Sequence, residues 1–211
     1  MKYRNQSFNS SLKSMILSMK DSWRIALLTS LFICGLIISS FVIKNGNSLL
    51  SGQLNEIIKA SILKRNSSGF LMLFLDSFTP SELYLVLCFT FGLCAVGVPL
   101  ISVLPFIKGF SVGLIGSYIY SVYAVKGVCY CLLIYFPAQI ISSALLIYAC
   151  NEGYYMATDI FSLIQEKPVT SENNAFRLYI TRFLILTAFC IAAALCDSLI
   201  SVLFTRFFNL F

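Results

Sequence analysis

Asp197, in AALCDSLIS, is the only acid inside the apolar segments delimited below. An ionisable group in hydrocarbon is costly and marks a functional site or a specific packing partner. Both readings stand here. Asp197 is either an intramembrane acid that handles an ion, or a carboxyl towards the outer boundary, paired or protonated, that fixes helix packing; Lys126 is one candidate partner. Gly109, Gly113 and Gly116 stand at i, i+4 and i+7, which puts them on one helix face, with Ser117 and Tyr120 near it. In lipid such a face lets two backbones approach closely. The functional alternative is a narrow backbone-lined conduit. A nucleotide loop is excluded, because the strand context and the lysine spacing are missing.

Other chemistry has little to work with. The chain has no histidine, so the usual neutral-pH base and the commonest metal ligand are absent. Its eight cysteines lie in or beside apolar segments and read as small buried hydrophobes. Cys129-x-Cys131 is not a zinc spacing. Pro99, Pro105 and Pro137 would each free a carbonyl inside a helix, as a kink or as part of a broken-helix site. Gln139, just after Pro137, could hydrogen-bond across helices. Glu152 and Asp159 read as solvated loop charges. No nucleophile–base set or carboxylate pair stands out, so no catalytic residue, metal or cofactor is expected.

The elements that must position these residues are membrane helices. Of 211 residues, 58% are hydrophobic and 11% charged, against roughly 25% charged in soluble domains. From Pro99 to Cys150 the only charges are Lys108 and Lys126. The expected fold is an all-α integral membrane bundle of about five transmembrane helices with interfacial amphipathic helices. The spans fall at about 25–43, 83–107, 109–124, 127–150 and 183–204, each near the 20 or so residues needed to cross. The third is short, about 24 Å by helix rise, and a re-entrant segment is its alternative. Turns are expected at Lys108 and at Lys126-Gly127, with Pro137 near the middle of the fourth span. The first run is too long for a signal-peptide core and should stay as an anchor.

Residues 1–24 form an expected cytoplasmic amphipathic helix, in which Phe8, Leu12, Met15, Ile16, Met19 and Trp23 recur with helical period among basic residues. Residues 25–211 form the polytopic domain, with an outer loop over 44–82. In that loop Leu50, Leu54, Ile57, Ile58 and Ile62 mark a second amphipathic helix, and GFLMLFLDSF (69–78) is too short to span and should dock at the interface. Thr79-Pro80-Ser81-Glu82 reads as a capping box starting the second span. With the N-terminus cytoplasmic, the basic residues divide nine inside to six outside, the bias the positive-inside rule asks for. The net charge of +6 is spread along span ends, which suits a lipid surface and not nucleic acid.

The stretches LPFIKGFSVGLIGSYI (Leu104–Ile119) and VKGVCYCLLIYFPAQII (Val125–Ile141) resemble the stage II sporulation protein M family of integral membrane proteins. The resemblance lies in Lys108-Gly109, Gly113, Lys126-Gly127, Pro137 and Gln139, with Asp197 as the acid of the last helix. Ala138 separates Pro137 from Gln139, where the family sets the two side by side, and the missing histidine speaks against a hydrolase. The resemblance implies a non-enzymatic scaffold in the bacterial cytoplasmic membrane. It would anchor and localise peptidoglycan hydrolases D and P during engulfment of the forespore, and the outer loop would face those partners. Self-association is left open. The rival from the residues alone is a small permease or channel subunit built on the glycine helix and Asp197.

Overall fold

The computed structural model describes residues 2–45, 56, 69–131, 135–164 and 175–205. Five long helices make up these residues: α1 (Lys2–Asn45), α2 (Phe70–Gly92), α3 (Gly97–Tyr130), α4 (Phe136–Ile164) and α5 (Ala175–Thr205). Four contain stretches long and apolar enough to cross a membrane, at Ser22–Asn45, Phe70–Gly92, Gly97–Val122 and Phe176–Val202. The protein is thus an all-helical, multi-pass membrane bundle. α4, with 29 residues, is about 43 Å long. It carries Ser143, Asn151 and Glu152 on its buried side, which its neighbours cover.

The burial pattern is that of a protein dissolved in lipid. Ile33, Ile37, Leu71, Leu83, Val103, Ile107, Ile140, Leu184 and Phe189 face outwards, while Lys108, Asn151, Glu152, Asp197, Ser198 and Ser201 are buried. Outside a bilayer such apolar faces would be an aggregation surface; within one they leave polar side chains and small residues to hold the helices together. α1 lies along α3, with a lesser contact to α4, and α2, α4 and α5 pack on one another. The shared core comprises Leu28, Leu85, Cys88, Ile101, Leu104, Leu146, Cys150 and Phe183, among others.

The helix boundaries differ from those expected, and proline position explains most of the difference. The second span, 83–107, is broken at Leu93–Val96, three to six residues before Pro99. A continuous helix would drive the Pro99 ring into the Ala95 carbonyl. With the break, Pro99 lies in the first turn of α3, where it needs no donor. The reversal is held by Leu93 N–H to Thr90 O (3.2 Å), Cys94 N–H to Phe91 O (3.1 Å) and Gly97 N–H to Cys94 O (2.9 Å). A side chain on Gly97 would run into the Phe91 carbonyl, whose carbon lies 2.8 Å from the Cβ position. Pro80 lies inside α2, not at a helix start. The apolar segment 69–78 is therefore the first half of a spanning helix, and the capping box does not form.

Lys108-Gly109 is likewise no turn, because α3 runs through it from Gly97 to Tyr130. The third expected span is thus the second half of a longer helix. Lys126 and Gly127 fall in the last turns of the same helix. Pro137 is the second residue of α4 and not its middle. α1 continues through the N-terminal amphipathic segment and the first span without a break. The faces of that segment up to residue 21, the outer-loop helix at 50–62 (apart from exposed Glu56) and the linker at 165–174 lie outside the described side chains; Trp23, in its last turn, is exposed.

Candidate functional site

The glycine face of α3 meets α1. A Cβ on Gly109 would collide with the Phe32 carbonyl oxygen and come within 3.0 Å of its carbon, and one on Gly113 would lie 3.0 Å from Leu36 Cα and run into Ser39 Oγ. The relation is reciprocal, since a Cβ on Gly35 of α1 would lie 2.8 Å from Phe110 N. Gly35-x-x-x-Ser39 and Gly109-x-x-x-Gly113 are therefore two small-residue rows pressed together. One turn further, Ser40 Oγ and Ser117 Oγ share a hydrogen bond of 2.9 Å. Gly116 lies apart from this contact, with Phe136 Cζ at an ordinary 3.5 Å from its Cβ position. The conduit reading of the glycine helix has no room here, because α1 backbone fills the face.

A seam of polar side chains runs between α2, α4 and α5, carried by one face of α2. Ser77 donates to Asp197 Oδ2 of α5. Four residues on, Ser81 bonds Ser142 of α4 at 2.9 Å. Next to it, Glu82 Oε1 accepts from Thr187 of α5 at 3.3 Å. Tyr84 receives the Lys108 ammonium of α3, 5.1 Å from its ring centroid. Cys88 reaches Cys150 of α4, sulfur to sulfur 3.8 Å. At the α2 C-terminus Gly92 lets the Tyr179 ring of α5 approach, and the Tyr179 hydroxyl donates to Phe89 O at 3.1 Å. Phe89, Tyr179 and Phe183 close that end as a ring cluster with centroids 4.7–5.2 Å apart.

The same end of the bundle holds two cations against α4, whose Gly153 lies beside Gly92. Glu152 is buried and paired with Arg182 of α5, which corrects its reading as a solvated loop charge: the helix continues past Cys150 and turns the carboxylate inwards. Arg24 of α1 lies over the rings of Tyr154 and Tyr155, 4.6 and 4.3 Å from their centroids, a cation–π clasp. Asp197 is 4% exposed, beside Ser198 and Ser201, and accepts a hydrogen bond from Ser77 of α2; the side chain of Lys126, its expected partner, lies outside the described side chains. Gln139 is half-buried in the first turn of α4, with no side-chain hydrogen bond among the described residues. Lys108, expected in a cytoplasmic turn, is buried within α3; the Tyr84 ring face accommodates its charge.

Sequence reasoning missed Ser77, Ser81, Glu82, Ser142, Glu152, Thr187 and Arg182. A signal was present in the spacing Ser77, Ser81, Tyr84, Cys88, Gly92, a single helical stripe of polar and small residues, but the expected helix start at Pro80 cut it in two. The thiol pair offers a direct test of this register. A membrane-permeant oxidant such as iodine is expected to join Cys88 to Cys150, detected by mass spectrometry of the linked peptides. If the two stay reduced while exposed Cys34 and Cys196 react, α2 and α4 do not meet as described.

Residues 27–203 match the model of the family described as Stage II sporulation protein M. The match runs from the first spanning segment of α1 nearly to the end of α5, so it takes in both the glycine contact and the polar seam. No curated protein and no solved structure matches the chain.

Proposed function

Because the chain belongs to the stage II sporulation protein M family, we propose that this sporulation-related membrane protein is a non-enzymatic scaffold that anchors and localises peptidoglycan-degrading enzymes during engulfment. The family match over 27–203 carries the reading. The architecture supports it: helices locked by backbone contact and by buried polar bonds make a rigid platform, and rigid placement is what a scaffold supplies. In this reading the protein sits in the cytoplasmic membrane with its N-terminus inside, and 44–68 faces the hydrolases outside.

The test is affinity purification of the tagged full chain from membranes in mild detergent, with partners identified by mass spectrometry. Peptidoglycan hydrolases should copurify in near-stoichiometric amounts and be lost when residues 50–62 are deleted. Recovery of the protein alone, or with an ATPase, would sink the scaffold reading. A second reading, a small permease subunit, rests on Asp197 buried among serines inside the bundle. It requires solute or ion flux in reconstituted vesicles that Asp197→Asn abolishes.

A further inference from the structure

A cleft of about 170 Å³ opens on the lipid side between α2 and α5. Val86 and Phe89 form one wall, Ile180 and Leu184 the other, and Glu82 with Thr187 make its polar end. It faces outwards: Val86 is 51% and Leu184 65% exposed. Glu82 lies near the middle of Phe70–Gly92, at the depth where an ionisable group is hardest to accommodate. Its Oε2 is buried and has no hydrogen-bond partner among the described residues. Its Oε1 has the one long bond from Thr187, at 3.3 Å. Lys108 and Glu82 both lie within electrostatic reach of the Cys190 thiol. No ion pair joins them, because the Lys108 ammonium is held over the Tyr84 ring.

We infer that this cleft is the docking site for a single membrane-spanning helix of a partner protein, one that carries a lysine or arginine at mid-span to pair with Glu82. Charge complementarity chooses the occupant. A lipid headgroup keeps its cation at the interface, not at mid-span. A second copy of this chain has no such cation to offer at mid-span on the described surface: Lys108 is buried, Arg182 is engaged with Glu152, Arg24 and Lys44 sit at the ends of the first spanning segment, and Arg177 sits at the start of the last. The cleft holds one long side chain, which fits a knob from a passing helix. This deepens the scaffold reading and rests on it, giving the platform a grip inside the membrane besides its outer segment.

The test uses the full chain, labelled with a fluorescent donor, in phosphatidylcholine vesicles. The probes are acceptor-labelled leucine–alanine spanning peptides with either lysine or leucine at the central position. The lysine peptide should bind about tenfold tighter than the leucine peptide. Glu82→Gln should remove that preference. Val86→Trp, which fills the cleft from an exposed position and leaves the carboxyl in place, should weaken lysine-peptide binding to the same extent; it decides the matter if Glu82→Gln does not fold. Equal binding of the two peptides overturns the proposal. So does energy transfer between differently labelled copies of the chain that disappears in Glu82→Gln, since the occupant would then be a second copy. No hydrolase takes part, so failure here leaves recruitment through the outer segment standing, and loss of hydrolase copurification with peptide selectivity intact sinks the scaffold reading alone.

Discussion

Gly109→Leu is expected to destabilise the bundle by more than about 3 kcal/mol, and Gly113→Leu by a similar amount. The obstacle at Gly109 is the Phe32 carbonyl, main chain that no rotamer change can move aside. At Gly113 it is Leu36 Cα at 3.0 Å together with Ser39 Oγ. Relief requires α1 to back away as a body, and α1 makes most of its contacts with α3. In lipid no hydrophobic force draws the separated helices back together, so close van der Waals contact, once lost, is not compensated. The two substitutions act on one interface and should not add. Gly116→Ala is the control: its nearest neighbour lies at 3.5 Å, and the change should stay within about 0.5 kcal/mol. Unfolding in mixed micelles, titrated with sodium dodecyl sulfate, reads all three. A Gly109→Leu protein as stable as its parent would mean that α1 does not rest on this face.

The fold class was legible because membrane insertion leaves a coarse mark: long apolar runs cannot be anything else in a chain with so few charges. The spacing of Gly109 and Gly113 was legible for a related reason, since a close approach must be written in small residues at i and i+4. Which helix fills the face was not in that spacing. The row Gly35-x-x-x-Ser39 that meets it is short, and its second member is a serine that could equally face lipid and bond back to its own helix, as Ser39 does to Leu36 O at 2.8 Å.

The boundaries were misread where one residue type has two structural outcomes. Lys-Gly ends helices in water, because lysine is solvated and glycine caps. At Lys108-Gly109 the glycine serves α1 packing and the lysine finds an aromatic face, so nothing requires a stop. Proline has the same ambiguity. Pro80 stays inside α2, forgoing one backbone bond, while Pro99 coincides with a chain reversal where glycines flank the turn. With Pro80 read as a start and Lys108 as a stop, the α2 stripe lost its first turn and Glu82 was placed in a loop. The polar seam depends on tertiary pairing, and no local pattern distinguishes a serine that meets Asp197 from one that meets water.

Arg182→Ala should have the second large effect, a loss on the order of 3 kcal/mol. The Glu152 side chain is 9% exposed and that of Arg182 44%, so the pair is asymmetric. The arginine has a route to solvent or headgroups, and the carboxylate does not. Removing Arg182 therefore strands a buried negative charge. Glu152→Gln leaves an arginine that can turn outwards, and should lose about 1 kcal/mol at most. The double substitution Arg182→Ala with Glu152→Gln should recover most of what Arg182→Ala loses, since the stranded charge is gone. The same detergent titration measures the cycle. Equal losses from the two single variants would mean that the pair acts as a surface ion pair. A double variant no better than Arg182→Ala would mean that the arginine is needed for packing against α4 and not for its charge.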